Sequence, residues 1–294
     1  MSAGRQILLL HSLVARHATL AMDLEIARAA GYDGLEASAS KMRAFLDAGF
    51  TEADLSARLR GVSIPGMGFL IDIERHGSDE PALMRDAEAM FALAQVAGAR
   101  AVQVITGPVD VEAVFDHAAG RTATRYSGVL KLPKAEQFAI TAANLRKLAD
   151  LAAGYGLLLY LESLAWTPLN TLDDQVRLIE MAGRDNLRLV VDFWHCYASG
   201  DTPDRVARLP RDILYGVHVC DSLPFSGGIP REAELRDVPT GGGVLDLKAW
   251  ADAVRSTGYV GWWSAELFCR KQHQEDSFAL AAEIRRLLDR LANG

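Results

Sequence analysis

Four ionisable side chains stand at or near the ends of apolar runs in the second half of the chain. They are Glu162 in LLLYLE, Asp192 in LRLVVD, His218 in ILYGVHV and Glu266 in WWSAE. A charged side chain within apolar sequence is costly to bury unless it is paired or binds a metal ion. Three carboxylates and one imidazole offer oxygen and nitrogen ligands that suit Mn²⁺, Mg²⁺, Co²⁺ or Zn²⁺. The set contains no thiolate and therefore does not indicate a closed structural zinc site.

The elements that must position these residues alternate along the chain. Short apolar runs predict strands at 7–10, 34–37, 62–70, 102–106, 157–162, 187–192, 213–219 and 262–268. Helical periodicity follows them and predicts helices at 20–30, in pieces over 40–60, and at 81–97, 134–153, 172–182, 203–209, 247–257 and 277–292. Eight such units in about 250–300 residues are typical of a (β/α)₈ TIM barrel, which collects functional residues at the carboxyl ends of its strands. The alternative is a doubly wound open sheet, but no GxGxxG or GxxxxGK[ST] phosphate loop follows the first strand.

The chain has 294 residues, and we expect one barrel domain over 1–294, because barrels of this size form a single domain. Long loops are predicted at about 107–133 and 221–243, the first with a short helix around Val111–Ala118. Loops of this length in compact domains often close over a site. The 107–133 loop could close the site or form a subunit contact, so a homo-oligomer is left open.

Composition narrows the range of partners. The net charge is −7, and no basic stripe is present, which disfavours a nucleic-acid partner. Three cysteines without CxxC spacing favour a reducing, cytoplasmic location. No apolar run approaches the roughly 20 residues that span a bilayer, so we expect no membrane partner.

Longer motifs around the four ionisable residues resemble a known family. LYLES, VVDFWH, GVHVCDS and WWSAELF, together with AGYDGLEAS near the second strand, are similar to the sugar phosphate isomerase/epimerase superfamily. These xylose-isomerase-like barrels include ketose 3-epimerases, hydroxypyruvate isomerase, inosose dehydratase and 3-dehydroshikimate dehydratase. The resemblance covers nearly the whole chain. It implies that Glu162, Asp192, His218 and Glu266 hold one divalent ion, for which we expect Mn²⁺, with Mg²⁺, Co²⁺ or Zn²⁺ as alternatives.

The resemblance also implies residues that contact the substrate. His195 matches the family's histidine that binds a substrate oxygen. Arg236, ahead of a Gly-rich stretch, resembles a basic residue that anchors a hydroxyl or carboxylate, although a solvated loop arginine fits equally well. Glu36 is expected to contact substrate or to pair with a neighbouring strand-end residue. Asp221 is expected to orient either His218 or its own loop.

Aromatic side chains are expected at the mouth of the barrel. Trp166, Phe193, Trp194 and Phe225 could pack against the faces of a sugar or cyclic polyol. Ordinary packing at the top of the barrel is the alternative for all four. Of these, Trp166 is the one that we assign to the substrate site.

The implied reaction is proton abstraction next to a metal-bound carbonyl, through an enediolate. Glu162 and Glu266 would move protons on either side of the reacting carbon of a ketose or keto-polyol. This describes an isomerase or epimerase. A dehydratase or other lyase, which expels a β-hydroxyl instead, is the alternative within the same family.

Two departures leave the substrate open. Pro168 stands where ketose 3-epimerases carry a second glutamate, and no histidine follows Glu162 closely, as it does in the dehydratases. A non-enzymatic sugar-binding protein and an apurinic-site endonuclease are more remote alternatives. The endonuclease needs many histidines at the barrel mouth, and only His11, His195 and His218 stand at suitable strand ends.

Overall fold

Eight parallel strands form a closed barrel in chain order, and the last strand pairs back to the first. The structure is a computed structural model that describes residues 4–121 and 124–294. The strands are β1 (Ile7–His11), β2 (Gly34–Ala37), β3 (Gly66–Leu70), β4 (Ala101–Ile105), β5 (Leu158–Glu162), β6 (Leu187–Asp192), β7 (Leu214–Val219) and β8 (Trp262–Ala265). The predicted (β/α)₈ TIM barrel is confirmed.

Helices surround the barrel and cover the apolar outer faces of its strands. They are α1 (Leu20–Ala30), α2 (Ala39–Asp47), α3 (Glu52–Leu59), α4 (Glu80–Ala97), α5 (Val111–Ala118), α6 (Lys134–Gly154), α7 (Leu172–Ala182), α8 (Phe193–Ala198), α9 (Pro203–Val206), α10 (Glu232–Leu235), α11 (Leu247–Ser256) and α12 (Ser277–Asn293). Gly31 and Gly98 end α1 and α4 in the left-handed conformation that glycine adopts without steric cost.

The structure differs from the sequence prediction mainly at element ends. The predicted strand 62–70 begins only at Gly66, directly after Pro65, which has no N–H for a strand ladder. The predicted strand 262–268 ends at Ala265, so Glu266 is the first residue beyond β8, although its N–H still donates to the Val219 carbonyl. The predicted helix 203–209 is present only as the four-residue α9, which begins with Pro203, and the similarly short α8 and α10 were not predicted.

The two predicted long loops are present as connections that each contain a short helix. Helix α5 lies in the first, as predicted, and α10 lies in the second. Glu74, which follows β3, fastens the first connection: it accepts hydrogen bonds from the Gly107 N–H (2.8 Å) and the Tyr126 hydroxyl (3.0 Å). Burial raises the pKa of Glu74 to about 7. Residues 122–123 of this connection lie outside the described residues.

The lower interior of the barrel is a small cluster of tightly packed side chains. Leu9, Ala101, Tyr160, Val190 and Trp262 are at most 3 % exposed and form this cluster apart from the main core. Gly216 on β7 pairs with Trp262 on β8 in register. A Cβ atom built on Gly216 would stand 2.0 Å from the Trp262 ring, so only glycine fits at this position.

No helix within 4–121 and 124–294 combines the length and apolar character needed to cross a membrane.

Gly216→Ala tests how tightly this interior is packed. We expect it to lower the free energy of unfolding by about 2–3 kcal/mol, because a methyl group in a filled interior displaces Trp262. Denaturant titration followed by tryptophan fluorescence measures the change. The control is Gly154→Ala at the end of α6, where an added Cβ meets nothing within 4 Å. Equal stability of the two variants would contradict the packing argument.

Candidate metal centre and its cavity

The Nδ1 atom of His218 lies at the centre of three carboxylates. A carboxylate oxygen of Glu162 is 3.1 Å away, one of Glu266 is 3.5 Å away and one of Asp192 is 3.9 Å away. Parallel strands β5 to β8 deliver these residues to one end of the barrel, where Asp192 and His218 are in register on neighbouring strands. The structure therefore brings together the four residues that the sequence predicts as ligands, and all are buried.

Glu36, at the end of β2, holds the other nitrogen of this imidazole. Its carboxylate lies 2.9 Å from His218 Nε2 and also accepts from the Tyr160 hydroxyl (2.9 Å) and the Ser264 hydroxyl (2.6 Å). Of the two expectations for Glu36, the structure shows pairing with strand-end neighbours, although the residue also lines the cavity. Because Nε2 donates to Glu36, Nδ1 is the nitrogen available to a metal ion.

Arg236 neutralises part of this acidic cluster. One guanidinium nitrogen lies 3.0 Å from a Glu266 oxygen and 3.6 Å from an Asp192 oxygen, and another bonds to Glu232 at 2.9 Å. The side chain is 1 % exposed and stacks on the Phe268 ring at 4.0 Å. Arg236 is therefore a buried counter-ion of Glu266 that does not line the cavity, which excludes the solvated-loop interpretation.

The two glutamates have opposite protonation tendencies. Burial raises the pKa of Glu162 above its usual range, although its hydrogen bond with His218 acts the other way. Burial acts to raise the pKa of Glu266 as well, but the charges of His218 and Arg236 outweigh it and hold the pKa well below its usual range. Arg236 contributes to this difference, because it contacts Glu266 and makes no ion pair with Glu162 in the described part of the chain, while the charges of Glu266 and Asp192 raise the pKa of Glu162 further.

Two side chains that the sequence analysis did not single out orient the carboxylates. Gln103 donates to Glu162 Oε2 at 3.1 Å, and the Cys220 thiol lies 3.3 Å from both oxygens of Asp192. The sequence does mark Gln103, because it is the one polar residue in the apolar strand sequence AVQVI. The donor set of one imidazole nitrogen and three oriented carboxylates fits a divalent cation that takes nitrogen and oxygen ligands.

A cavity of about 630 Å³ opens above this cluster, within the range that small-molecule sites occupy. Glu162 and Glu266 reach its surface, together with His195, Trp166 and Glu36. Asp192, His218 and Arg236 are not among the residues that line it. The geometry therefore presents two carboxylates of the cluster directly to a bound small molecule.

His195 offers a fixed hydrogen-bond donor to the cavity. Its Nδ1 accepts the Ala165 N–H at 3.1 Å, so Nε2 carries the proton. Burial lowers the pKa of His195 to about 4, which keeps the ring neutral. Trp166 lies beside it and donates its indole N–H to the Pro108 carbonyl, which ties this wall of the cavity to the first long connection.

The expected aromatic mouth is only partly present. Trp166 lines the cavity, but Phe193 and Trp194 are fully buried and do not line it. They point into the core because α8 begins directly after β6 and turns both rings inward. Phe69 and Phe268, which the sequence analysis did not single out, line the cavity instead.

Asp221 organises its loop and makes no described contact with His218. Its carboxylate accepts the backbone N–H groups of Gly241, Gly243 and Leu245 at 2.9–3.1 Å. A Cβ on Gly243 would stand 2.3 Å from an Asp221 oxygen. The Gly-rich stretch therefore allows the backbone to wrap around this carboxylate.

Comparison with known proteins identifies the family to which this fold belongs. The family model described as "Xylose isomerase-like TIM barrel" matches residues 24–291. The crystal structure of the IolI protein with a bound zinc atom is 19 % identical, with a TM-score of 0.83 and 98 % of each chain covered. The structure of L-ribulose 3-epimerase is 22 % identical, with a TM-score of 0.69, 99 % of this chain and 95 % of that chain covered.

Curated relatives match shorter stretches. The 3-dehydroshikimate dehydratase of Pseudomonas aeruginosa is 33 % identical over 132 residues, which are 44 % of this chain and 21 % of that protein. The inosose isomerase of Bacillus velezensis is 29 % identical over 140 residues, 47 % of this chain and 49 % of that protein. The chain thus matches about a fifth of the length of the dehydratase and about half of the length of the inosose isomerase. Both relatives are named as enzymes.

Arg236→Met tests the role of the buried guanidinium. We expect a loss of about 3–5 kcal/mol in the free energy of unfolding at pH 7, because Glu266 and Asp192 lose their counter-ion. The deficit should shrink as the pH falls, since the carboxylates can then take up protons. The control, Arg184→Met, breaks the exposed ion pair with Asp150 and should cost less than about 1 kcal/mol. Urea unfolding at several pH values measures both, and a pH-independent deficit would contradict this assignment.

Proposed function

We propose that this chain, which belongs to the xylose isomerase-like TIM barrel family, is a divalent-metal-dependent isomerase or epimerase of a ketose or keto-polyol. The observation that carries the proposal is the cluster around His218 Nδ1, in which Glu162 and Glu266 also line the cavity. The reaction is proton transfer at a carbon next to a carbonyl. The names of the relatives, inosose isomerase and L-ribulose 3-epimerase, support a sugar or polyol substrate.

Glu162, Asp192, His218 and Glu266 would hold the ion, with His218 contributing Nδ1. When bound, a divalent ion supplies Lewis-acid polarisation of the substrate carbonyl. The zinc atom in the similarly folded IolI protein supports a divalent ion. Three carboxylates in the set favour an oxygen-preferring ion, and Mn²⁺ remains our prediction.

We assign proton removal to Glu162. It faces the cavity and makes no ion pair with Arg236 in the described part of the chain, whereas that guanidinium engages the carboxylate of Glu266. Glu266 faces the same space from β8 and is placed to act on the other side of the reacting carbon. For epimerisation, Glu266 would first take a proton from water and then deliver it to the opposite face of the same carbon. Return of the abstracted proton by Glu162 to a neighbouring carbon would give isomerisation.

The remaining residues bind and orient the substrate. The neutral His195 ring donates its Nε2–H to a substrate oxygen, and Trp166 packs against an apolar face of the ring or chain. Glu36 acts through His218: it holds the imidazole so that Nδ1 faces the carboxylates. Arg236 acts through Glu266, because its buried guanidinium pairs with that carboxylate and does not line the cavity.

A dehydratase is the second candidate. The 33 % identical stretch of 3-dehydroshikimate dehydratase favours it, and the same base could remove a proton while a β-hydroxyl leaves. The difference lies in the substrate's leaving group, so the product identifies the reaction class.

The first test of the proposal is metal uptake. We expect metal-depleted protein to bind about one equivalent of Mn²⁺, and Glu36→Gln to bind it about 10–100-fold more weakly, as is typical when the partner of a ligand histidine is lost. Isothermal titration calorimetry and elemental analysis measure both. The control, Glu283→Gln, removes an exposed carboxylate on α12 and should bind like the natural protein. Absence of uptake by the natural protein would overturn the metal site.

The second test is hydrogen exchange at the substrate carbon. In D₂O we expect deuterium to enter one carbon next to the carbonyl of a ketose, a keto-inositol or dehydroshikimate, detected by NMR. At saturating Mn²⁺, Glu162→Gln should slow this exchange about 10²–10⁴-fold, the usual contribution of a general base. Metal content is measured on the same sample. Unchanged exchange in a variant that retains its metal would remove Glu162 from this role.

A further inference from the structure

The cavity has a basic rim that the proposed reaction does not use. Arg16, in the connection after β1, and Arg43, on α2, both line the cavity on the side of β1 and β2. Both side chains are exposed. Neither makes an ion pair or a side-chain hydrogen bond with any residue in 4–121 or 124–294, so both guanidiniums are available to a ligand.

Lys41 keeps the two arginines on the same side of the cavity. Its ammonium group bonds to the backbone carbonyls of Ser12 and Ala15 and to both oxygens of Asp23, at 2.8–3.1 Å. These bonds fasten the first turn of α2 to the connection that carries Arg16. The ammonium group of Lys41 therefore has protein partners for its hydrogen-bond donors, whereas the two guanidiniums have none among the described residues.

The charges of the cavity are therefore separated. The floor carries Glu36, Glu162 and Glu266, and the rim carries two guanidiniums. Two guanidiniums without a partner contribute little to the binding free energy of an uncharged sugar. An anionic group gains charge-assisted and bidentate hydrogen bonds from them, since the planar guanidinium matches a carboxylate or a phosphate.

We propose that Arg16 and Arg43 form an anion-binding subsite, so that the substrate carries a carboxylate or phosphate at the end remote from the reacting carbon. This rests on the proposed function for the orientation of the substrate, because the carbonyl end must face Glu162. The size of the cavity leaves room for such a substituent beyond the reacting carbons.

Two pairs of unreactive or slowly reacting compounds test the subsite by isothermal titration calorimetry. Quinate is compared with myo-inositol for a carboxylate, and D-fructose 6-phosphate with D-fructose for a phosphate. In the natural protein we expect the anion of at least one pair to bind at least about tenfold more tightly than its neutral partner. The pair that shows this preference identifies the anionic group.

In the double variant Arg16→Gln/Arg43→Gln the preference should fall to about one, with binding of the neutral compounds unchanged. The matched control is Arg58→Gln/Arg85→Gln, which removes the same charge from exposed positions on α3 and α4 that do not line the cavity. It should retain the preference. The proposal is wrong if neither anion is preferred or bound at millimolar concentration, or if the preference survives in the Arg16/Arg43 variant.

These results are separable from failure of the proposed function. Anion binding is measured without turnover, so the preference stands even if no hydrogen exchange occurs. Conversely, a neutral ketose should exchange hydrogen at the same rate in the natural protein and in the Arg16/Arg43 variant, and this result supports the proposed reaction. The ratio of anion to neutral affinity tests the subsite separately.

Discussion

The site depends on one imidazole held between opposing carboxylates. Glu36 fixes Nε2 of His218, and Glu162, Asp192 and Glu266 surround Nδ1. This arrangement requires that side chains from β2 and β7, which lie three strands apart around the barrel, reach each other across its interior. Tyr160 and Ser264 complete the bonds to Glu36, so the lower interior and the metal centre are one connected structure.

Burial of so many acids in one place needs compensation. Four carboxylates lie around one histidine, and their mutual repulsion and desolvation would oppose folding. The buried Arg236 offsets part of this cost, and a divalent ion would offset much of the remainder. Arg236 contacts Glu266 and helps to lower its pKa, whereas burial raises the pKa of Glu162. The two glutamates therefore differ in their affinity for a proton.

The connections at the top of the barrel shape the cavity through hydrogen bonds. Glu74 and Trp166 attach the first long connection to the barrel, through Gly107, Tyr126 and Pro108. Asp221 gathers the backbone of the Gly-rich stretch after β7. The walls of the cavity are thus positioned by buried polar contacts, while its floor is positioned by the strands.

The sequence by itself determined the barrel and the four residues at its centre. Apolar runs of strand length, each followed by a helical period, specify eight strands, and the rule that parallel strands end on one face brings Glu162, Asp192, His218 and Glu266 together. These inferences need only local patterns and the topology. The short helices α8 and α10 were missed, because they show neither a helical period nor a start signal such as the proline that opens α9.

Only the tertiary structure decided which side chain contacts which. Glu36 is 182 residues away from its partner His218, and Arg236 reaches Glu266 because its loop folds inward over the barrel. Phe193 and Trp194 turned out to be core residues, whereas Phe69 and Phe268 face the cavity. The physical reason is that these contacts form between segments distant in the chain, and their geometry is set by closure of the barrel and packing of its loops rather than by local sequence.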